Sequence, residues 1–430
     1  MGALRAMGLQ STTMHEATTD VRSDPVNAAL VAFRRHELES RRPRVDAAER
    51  PGAATGVAPE EVEDEYLPYG LTDERHEPLC HVLATLGPVE LEYASLRRGC
   101  GIMPTPHRAT LRVSGPDALA VVDGVVTNAV KDLVPGESGA ARRAFLLDRK
   151  GRIRADLLVA ATPDGLLVDT DVTQGDLAEY LDRYVFTEDV TIEAIDGAVR
   201  RVLLSGPGAC AVAGIELEDG GCGRVTIAGA EVDVIRSDQI GAPGLHLVIP
   251  ADAAVAVVEH LLAVDIGAPV RPVGWHAWNI ARIEGGTPLF NIDFTTQSLP
   301  NETSCLESHV SFRKGCYPGQ EVVARVHNLG KPKQSIVGLQ IEGEGLPVAG
   351  AALLPVGADE DTAPLGMMTS SAVSPMLGSR PVGLGTVRSG SVEPGTKVVV
   401  WTEAGEFEVT ITATRHWPQP AADGDGETAT

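Results

Sequence analysis

Apolar positions recur along this chain with two different periods, and the change from one to the other outlines its organisation. Strand-like runs stand near 144–147, 156–161, 190–194, 224–227, 231–237 and 245–249. Helix-like runs lie at 117–130, 174–184 and 251–264. The last of these is broken by Asp252, Glu259 and His260, which makes it an amphipathic helix rather than a membrane span. From Gln334 onward the pattern turns to short strands. Residues 370–387 are cut by Pro and Gly, and 398–401 and 406–412 flank a turn at Ala404 and Gly405. That stretch predicts a small C-terminal β-barrel.

A weak repeat divides the rest. LRVSGPDA at 111–118 resembles VLLSGPGA at 202–209. Each copy reads as a strand, a Ser-Gly-Pro turn and a helix that Pro116 or Pro207 can begin. Strands and helices alternate after both copies, which predicts an α+β fold of two similar units followed by the barrel. The boundaries expected are a disordered extension at 1–62, units at 63–198 and 199–333, the barrel at 334–417 and a disordered tail at 418–430. A short helix near 28–40 is one reading within the extension.

Composition narrows the function classes. The 430 residues are 43% hydrophobic and 22% charged, enough material for two or three cores. A net charge of −23 argues against general nucleic-acid binding and against docking on anionic membranes. The charge is uneven, however. Residues 142–154 carry six cations against one acid, Asp148, and 313–333 carry five against Glu321 alone. Two such islands fit either a small anionic ligand held locally or two solvated loops. Six cysteines without a CxxC pair are too few for a disulfide scaffold. The N-terminal residues lack the apolar core of a signal peptide. A cytoplasmic, reducing location and a monomer are expected.

Three places can carry chemistry. The first is RKGCYPGQEVVAR at 313–325, where glycines and a proline surround Cys316. A loop thiol beside cations is primed toward thiolate, whereas a buried cysteine acts as a small hydrophobe. His309, Cys316 and His327 are too widely spread for a standard metal pattern, so no resident metal is expected. The second is Asp156, which can bind a heterocycle or act as a base, or else pair with Arg152 or Arg154. The third is Arg282 with Glu284, read as a strand pair sharing one face and contacting a ligand, or as a structural ion pair at a domain edge. Tyr317 and Gln320 can meet a flat ring, and Lys314 and Arg325 can hold carboxylates. No nucleotide-binding glycine signature is present.

The element KGCYPGQE at 314–321, with Arg325 after it, resembles the signature of the YgfZ-type folate-binding proteins, within the aminomethyltransferase superfamily of the glycine-cleavage T-protein. Weaker matches follow in order: SGPDA, DRKGR, RYVFTEDV, LSGPGA, ARIEGGTP and TSSAVSPMLG. The resemblance implies the folate-binding fold of that superfamily around a central tetrahydrofolate site. It also implies support for the assembly or repair of iron–sulfur client proteins, with Cys316 as the key thiol. In the aminomethyltransferase branch a folate-contacting Asp falls on Asp156. Other positions of that branch depart: its Arg falls on Trp278, its pterin-binding Glu on His246 and a Tyr on Gln239. The alternatives are a folate-dependent aminomethyltransferase or demethylase, and a binding scaffold without chemistry.

Overall fold

The computed structural model describes residues 23–40, 65–72, 77–135, 140–171, 176–390, 393–402 and 405–416. Most of the expected N-terminal extension and the whole expected tail lie outside these residues.

The first sheet is antiparallel throughout. Its spatial order is Ala141–Leu147, Ile153–Thr162, Gly165–Asp171, Arg108–Ser114 and Thr191–Ala194. Successive side chains on a strand point to opposite faces. Leu111, Val113, Ala144, Leu146, Ala155, Leu157, Val159 and Val168 therefore share one face, and they pack beneath helices Ala118–Val125 and Leu177–Asp182. The other face carries charge in its middle, and that band becomes the site.

The second sheet has six strands in the order Cys222–Ile227, Ala230–Arg236, Gly244–Pro250, Val199–Ser205, Cys100–Pro104 and Val270–Pro272. Only its last pair is parallel. The two halves are thus interlocked, because Cys100–Pro104 precedes the first repeat copy yet pairs with Val199–Ser205. The repeat itself is structural: Gly115 and Gly206 both adopt positive φ, 111° and 125°, in matching strand-to-helix turns. The third part is a closed barrel, ordered Gln334–Ile341, Arg380–Arg388, Gly366–Ser374, Ala352–Pro355, Lys397–Thr402 and Gly405–Thr412. Leu339, Ile341, Leu353, Met368, Val398, Val400, Val409 and Ile411 fill it.

Two expectations are corrected. The extension expected to be disordered holds the short helix read near 28–40, which runs Pro25–Ser40. Asp24 accepts from the Val26 N–H at 2.8 Å as its cap and pairs with Arg200 at 2.9 Å. Val26, Leu30 and Val31 bury themselves in the core of the second sheet, against helix Ala254–Ala263. The second correction is that Arg282 and Glu284 lie on a helix, Trp275–Gly285, and not on a strand. Two residues apart on a helix point about 200° away from each other, so the pair shares no face. No described helix is long and apolar enough to cross a membrane.

Candidate functional site

Asp156 sits on the charged face of the first sheet. Cross-strand partners share a face, so the register places Asp156 beside Phe145 and Leu158 beside Asp169, and sets Arg108 opposite Asp171. One row of neighbouring strands therefore presents Arg143, Asp156, Asp169, Asp171 and Arg108 together. Apolar clusters close the row on both sides. Leu158, Ala160 and Leu167 pack on Ile235 and Val248 of the second sheet. Leu147 and Ile153 pack on Phe290, Phe294 and barrel residues Val382 and Leu384.

The band is tightly bonded on one flank. Arg108 donates from Nε to Asp169 at 2.7 Å and from Nη1 to Asp171 at 2.8 Å. Tyr69 arrives from the N-terminal hairpin and donates its hydroxyl to Asp171 at 3.1 Å, beside His107 and Trp275. Thr110 donates to Asp169 at 3.0 Å and accepts from Arg201 at 2.9 Å. Arg143 Nε donates to Ser237 at 2.8 Å. Around the band four buried polar atoms have no hydrogen-bond partner: Asp156 Oδ1, His309 Nε2, His246 Nε2 and His107 Nδ1. Asp156 and His309 approach to 3.2 Å without hydrogen-bond geometry. A cleft lined by Arg152, Ile153, Arg154, Phe290 and Gln297 opens at the hairpin end of the same sheet.

Burial and neighbouring charges divide the carboxyls. Burial pushes Asp156 up, but His309, Arg143 and Arg108 outweigh it and hold the group below the usual carboxylate value. Asp171 is raised to about 6, by burial first and then by the charges of Asp156 and Asp169. Burial, aided by Arg108 and Arg143, depresses His246 to about 3. His107 is likewise held well below its ordinary value by burial, Arg108 and Arg201. Both histidines are thus neutral at pH 7.

A pH dependence follows with a definite sign. A histidine whose folded value is depressed costs stability once the unfolded chain gains protons, as pH drops below about 6.5. A carboxyl with a raised folded value does the opposite between about pH 4 and 6. Among the described residues three histidines, His107, His246 and His416, act against two raised carboxyls, Asp171 and Glu92. The thermal midpoint should therefore fall as pH drops from about 7 to 5, and His246→Gln should flatten that fall. An unchanged slope in His246→Gln would remove the assignment.

Cys316 stands elsewhere, at the crest of a pinned arch. On one side Lys314 Nζ donates to the carbonyls of Asp123, Val126 and Asn128, where helix Ala118–Val125 ends. On the other, Tyr317 is buried among Phe145, Leu147 and Ile153. Gly319, at φ 81°, lies so close to the 148–151 turn that a Cβ would come within 2.5 Å of the Asp148 carbonyl. Helix Gln320–Leu329 then starts, with Val323 in the core. Gly315 and Cys316 are left exposed between these anchors. Burial pushes the thiols of Cys80, Cys100, Cys222 and Cys305 up to about 12. The two basic islands do meet, through Gly151 and Gly319.

Several expected ligand contacts are reassigned. Lys314 has its ammonium taken up by carbonyls, and Tyr317 is a core anchor whose ring lies 5.5 Å from that ammonium. Arg282 is buried and bonds Asp293 at 2.5 Å, Ser370 at 2.6 Å and Asn279 at 2.9 Å. Glu284 is buried and accepts from Tyr93 at 2.6 Å, from Arg97 and from barrel residue Ser374. Both clamp the helix to the barrel and have no capacity left for a ligand. Asp156 pairs with neither Arg152 nor Arg154, which engage Gln297 and the Tyr180 ring. Gln320 is half-buried and Arg325 exposed on the helix after Cys316. Of the band residues, Arg143 enters the sequence reading as one cation of the 142–154 island and His309 only beside Cys316 and His327 in the metal pattern, while Arg108, Asp169 and Asp171 have no place in it. Their signal was there: HRATLRV and LLVDTD alternate charged with apolar positions, which marks a strand with one charged face.

Two interlocked sheets, a charged band between them and a six-stranded barrel define the aminomethyltransferase class of α+β fold. The chain belongs to the glycine-cleavage T-protein family. Residues 84–314 match the GCVT N-terminal domain, and 334–417 match the glycine cleavage T-protein C-terminal barrel domain. A probable aminomethyltransferase of Halobacterium salinarum is 30% identical over 342 residues, which are 75% of this chain and 89% of the relative. An aminomethyltransferase of Chlorobium chlorochromatii is 27% identical over 72% of this chain and 84% of its own length. The fold superposes on the glycine cleavage system aminomethyltransferase T of Bartonella henselae with a TM-score of 0.69 at 21% identity, covering 83% of this chain and 95% of that one. Tyr69 and helix Pro25–Ser40 precede the matched segment.

Proposed function

We propose that this chain binds tetrahydrofolate against the charged band, with Asp156 receiving the ligand. In the same reading Cys316 acts at the surface on protein clients, supporting assembly or repair of iron–sulfur enzymes. The observation that carries the folate half is that His246 Nε2 and His107 Nδ1 are buried without a hydrogen-bond partner, while Asp156 Oδ1 meets His309 Nε2 at 3.2 Å outside hydrogen-bond geometry. Such atoms are costly unless something bonds them, and a reduced pterin offers both N–H donors and acceptors. Asp156 would accept an N–H, and the neutral His246 and His107 would each offer one ring nitrogen. Bound tetrahydrofolate would supply a carrier for a one-carbon unit. The Cys316 half rests on the pinned arch and on the resemblance of KGCYPGQE to the YgfZ-type signature. Gln320 and Arg325 flank that thiol and belong to the same surface.

A second reading, aminomethyl transfer or demethylation onto tetrahydrofolate, is favoured by the names of the relatives and by Asp156 itself. It stands second for a physical reason. Where the transferase branch resembled by this chain has a pterin-binding Glu, His246 is held neutral and cannot supply the missing negative charge. Calorimetric titration with tetrahydrofolate tests the first reading. Wild type should bind, and Asp156→Asn should bind about tenfold to a hundredfold more weakly, the loss of one charge-assisted hydrogen bond. No binding by wild type would remove both readings. Turnover of a small amine donor would promote the second.

A further inference from the structure

His309 is bonded in a way that leaves one proton to be assigned. The Ser308 hydroxyl lies 2.7 Å from His309 Nδ1 and 3.1 Å from the Cys305 carbonyl, at an angle that lets it donate to either. A hydroxyl has a single proton. If it goes to Cys305, Nδ1 must carry its own N–H, and Nε2 needs a second to face the Asp156 carboxylate favourably. The ring is then an imidazolium. If the hydroxyl turns to Nδ1, a neutral ring with its proton on Nε2 meets both neighbours equally well. The network therefore accommodates either state with no side chain other than the hydroxyl moving. Stacking on Phe145 at 4.6 Å holds the ring in plane for both.

We propose that His309 is the positioning residue for Asp156 and, with Ser308, a proton store beside the folate site, so that ligand binding releases a proton from the imidazole. The proposal rests on the folate reading above. When a ligand N–H arrives at Asp156, it satisfies part of the carboxylate charge that favours the imidazolium. The ring then gives its Nδ1 proton to solvent, and the Ser308 proton swings from Cys305 O to Nδ1. Only N–H and hydrogen bonds change. Proton release on binding requires affinity to rise with pH. The pair is faced by Arg108, Arg143 and Asp171 from the three other strands and by Cys305 at the start of helix Leu306–His309. Of these only Asp171, at about 6, titrates in the histidine range.

The experiment is calorimetric titration of the full chain with tetrahydrofolate between about pH 5.5 and 8, in buffers of different ionisation enthalpy. Wild type should release protons on binding and gain about tenfold in affinity across that range. His309→Gln keeps a donor for Asp156 but cannot titrate. It should bind with the proton release and most of the slope gone, whatever its affinity at the upper end. A His309→Gln profile identical to wild type overturns the proposal and gives the slope to Asp171. Equal weakening at every pH overturns it in favour of a purely structural role. The ligand-free protein gives an independent test through the ring nitrogen resonances of His309, with Ser308→Ala as a second variant. Both Asp156→Asn and Ser308→Ala should shift them, and resonances unmoved by either overturn the pairing. Failure of wild type to bind tetrahydrofolate strikes the folate reading alone, and the resonances still decide the pair.

Discussion

A Cys316→Ser chain, expressed in cells that lack this protein, is expected to leave iron–sulfur enzyme activity at the level of the deleted strain. The substitution exchanges sulfur for oxygen at an exposed position, so no packing is lost and stability should stay within about 0.5 kcal/mol of wild type. The anchors are untouched: Lys314 on its carbonyls, Tyr317 in the core and Gly319 against the 148–151 turn. What disappears is chemistry. A thiolate attacks electrophilic sulfur and binds soft metal ions, and a serine hydroxyl does neither at neutral pH. Tetrahydrofolate affinity should be unchanged, which separates the two halves of the proposed function. The measurement is client enzyme activity in the complemented strain, with folate titration and thermal unfolding as controls. Full complementation by Cys316→Ser sinks the thiol role.

Arg282→Ala should be the most destabilising single substitution proposed for this protein, at about 3–5 kcal/mol. The side chain is 1% exposed and its partner Asp293 0%. Removing the guanidinium strands a buried carboxylate, and Ser370 loses a donor while its own hydroxyl still bonds Asp293 at 2.7 Å. The cost is the uncompensated charge rather than the lost attraction, so replacing both partners by apolar residues should recover much of it. Arg282→Met with Asp293→Leu is that control. Urea unfolding measures both, and a loss below about 1 kcal/mol for Arg282→Ala would contradict the clamp. Hydrogen exchange should show the loss centred on the seam between helix Trp275–Gly285 and the strand Gly366–Ser374.

The same pair shows where reading the sequence stops. Residues two apart look like one strand face when only their spacing is considered. The surrounding WHAWNIARIEGG adopts a helix ended by Gly286 at φ 73°, because Trp278, Ala281 and Ile283 bury against other elements. Local propensity is a weak preference that tertiary packing overrides. The extension went the same way: Val26, Leu30 and Val31 gain a helix only because a second sheet waits to cover them. The strand swap of Cys100–Pro104 was invisible for a related reason, since pairing across a hundred residues leaves no local mark.

The sequence by itself determined the class of fold, the barrel and the SGP repeat, and it singled out Cys316 and Asp156 as candidate site residues. Those are local properties, written in alternation, turn residues and one dense motif. Only the tertiary structure decided which charges serve the fold and which gather in the band. Lys314, Arg282 and Glu284 carry the same chemistry as true ligand residues, and what reassigns them is the partner each one meets. Asp169, Asp171, Arg108 and His309 become a candidate site only when register and packing bring two strands and the helix Leu306–His309 together around Asp156. Burial then sets their charge states, because desolvation depends on every neighbour at once and on no single stretch of chain.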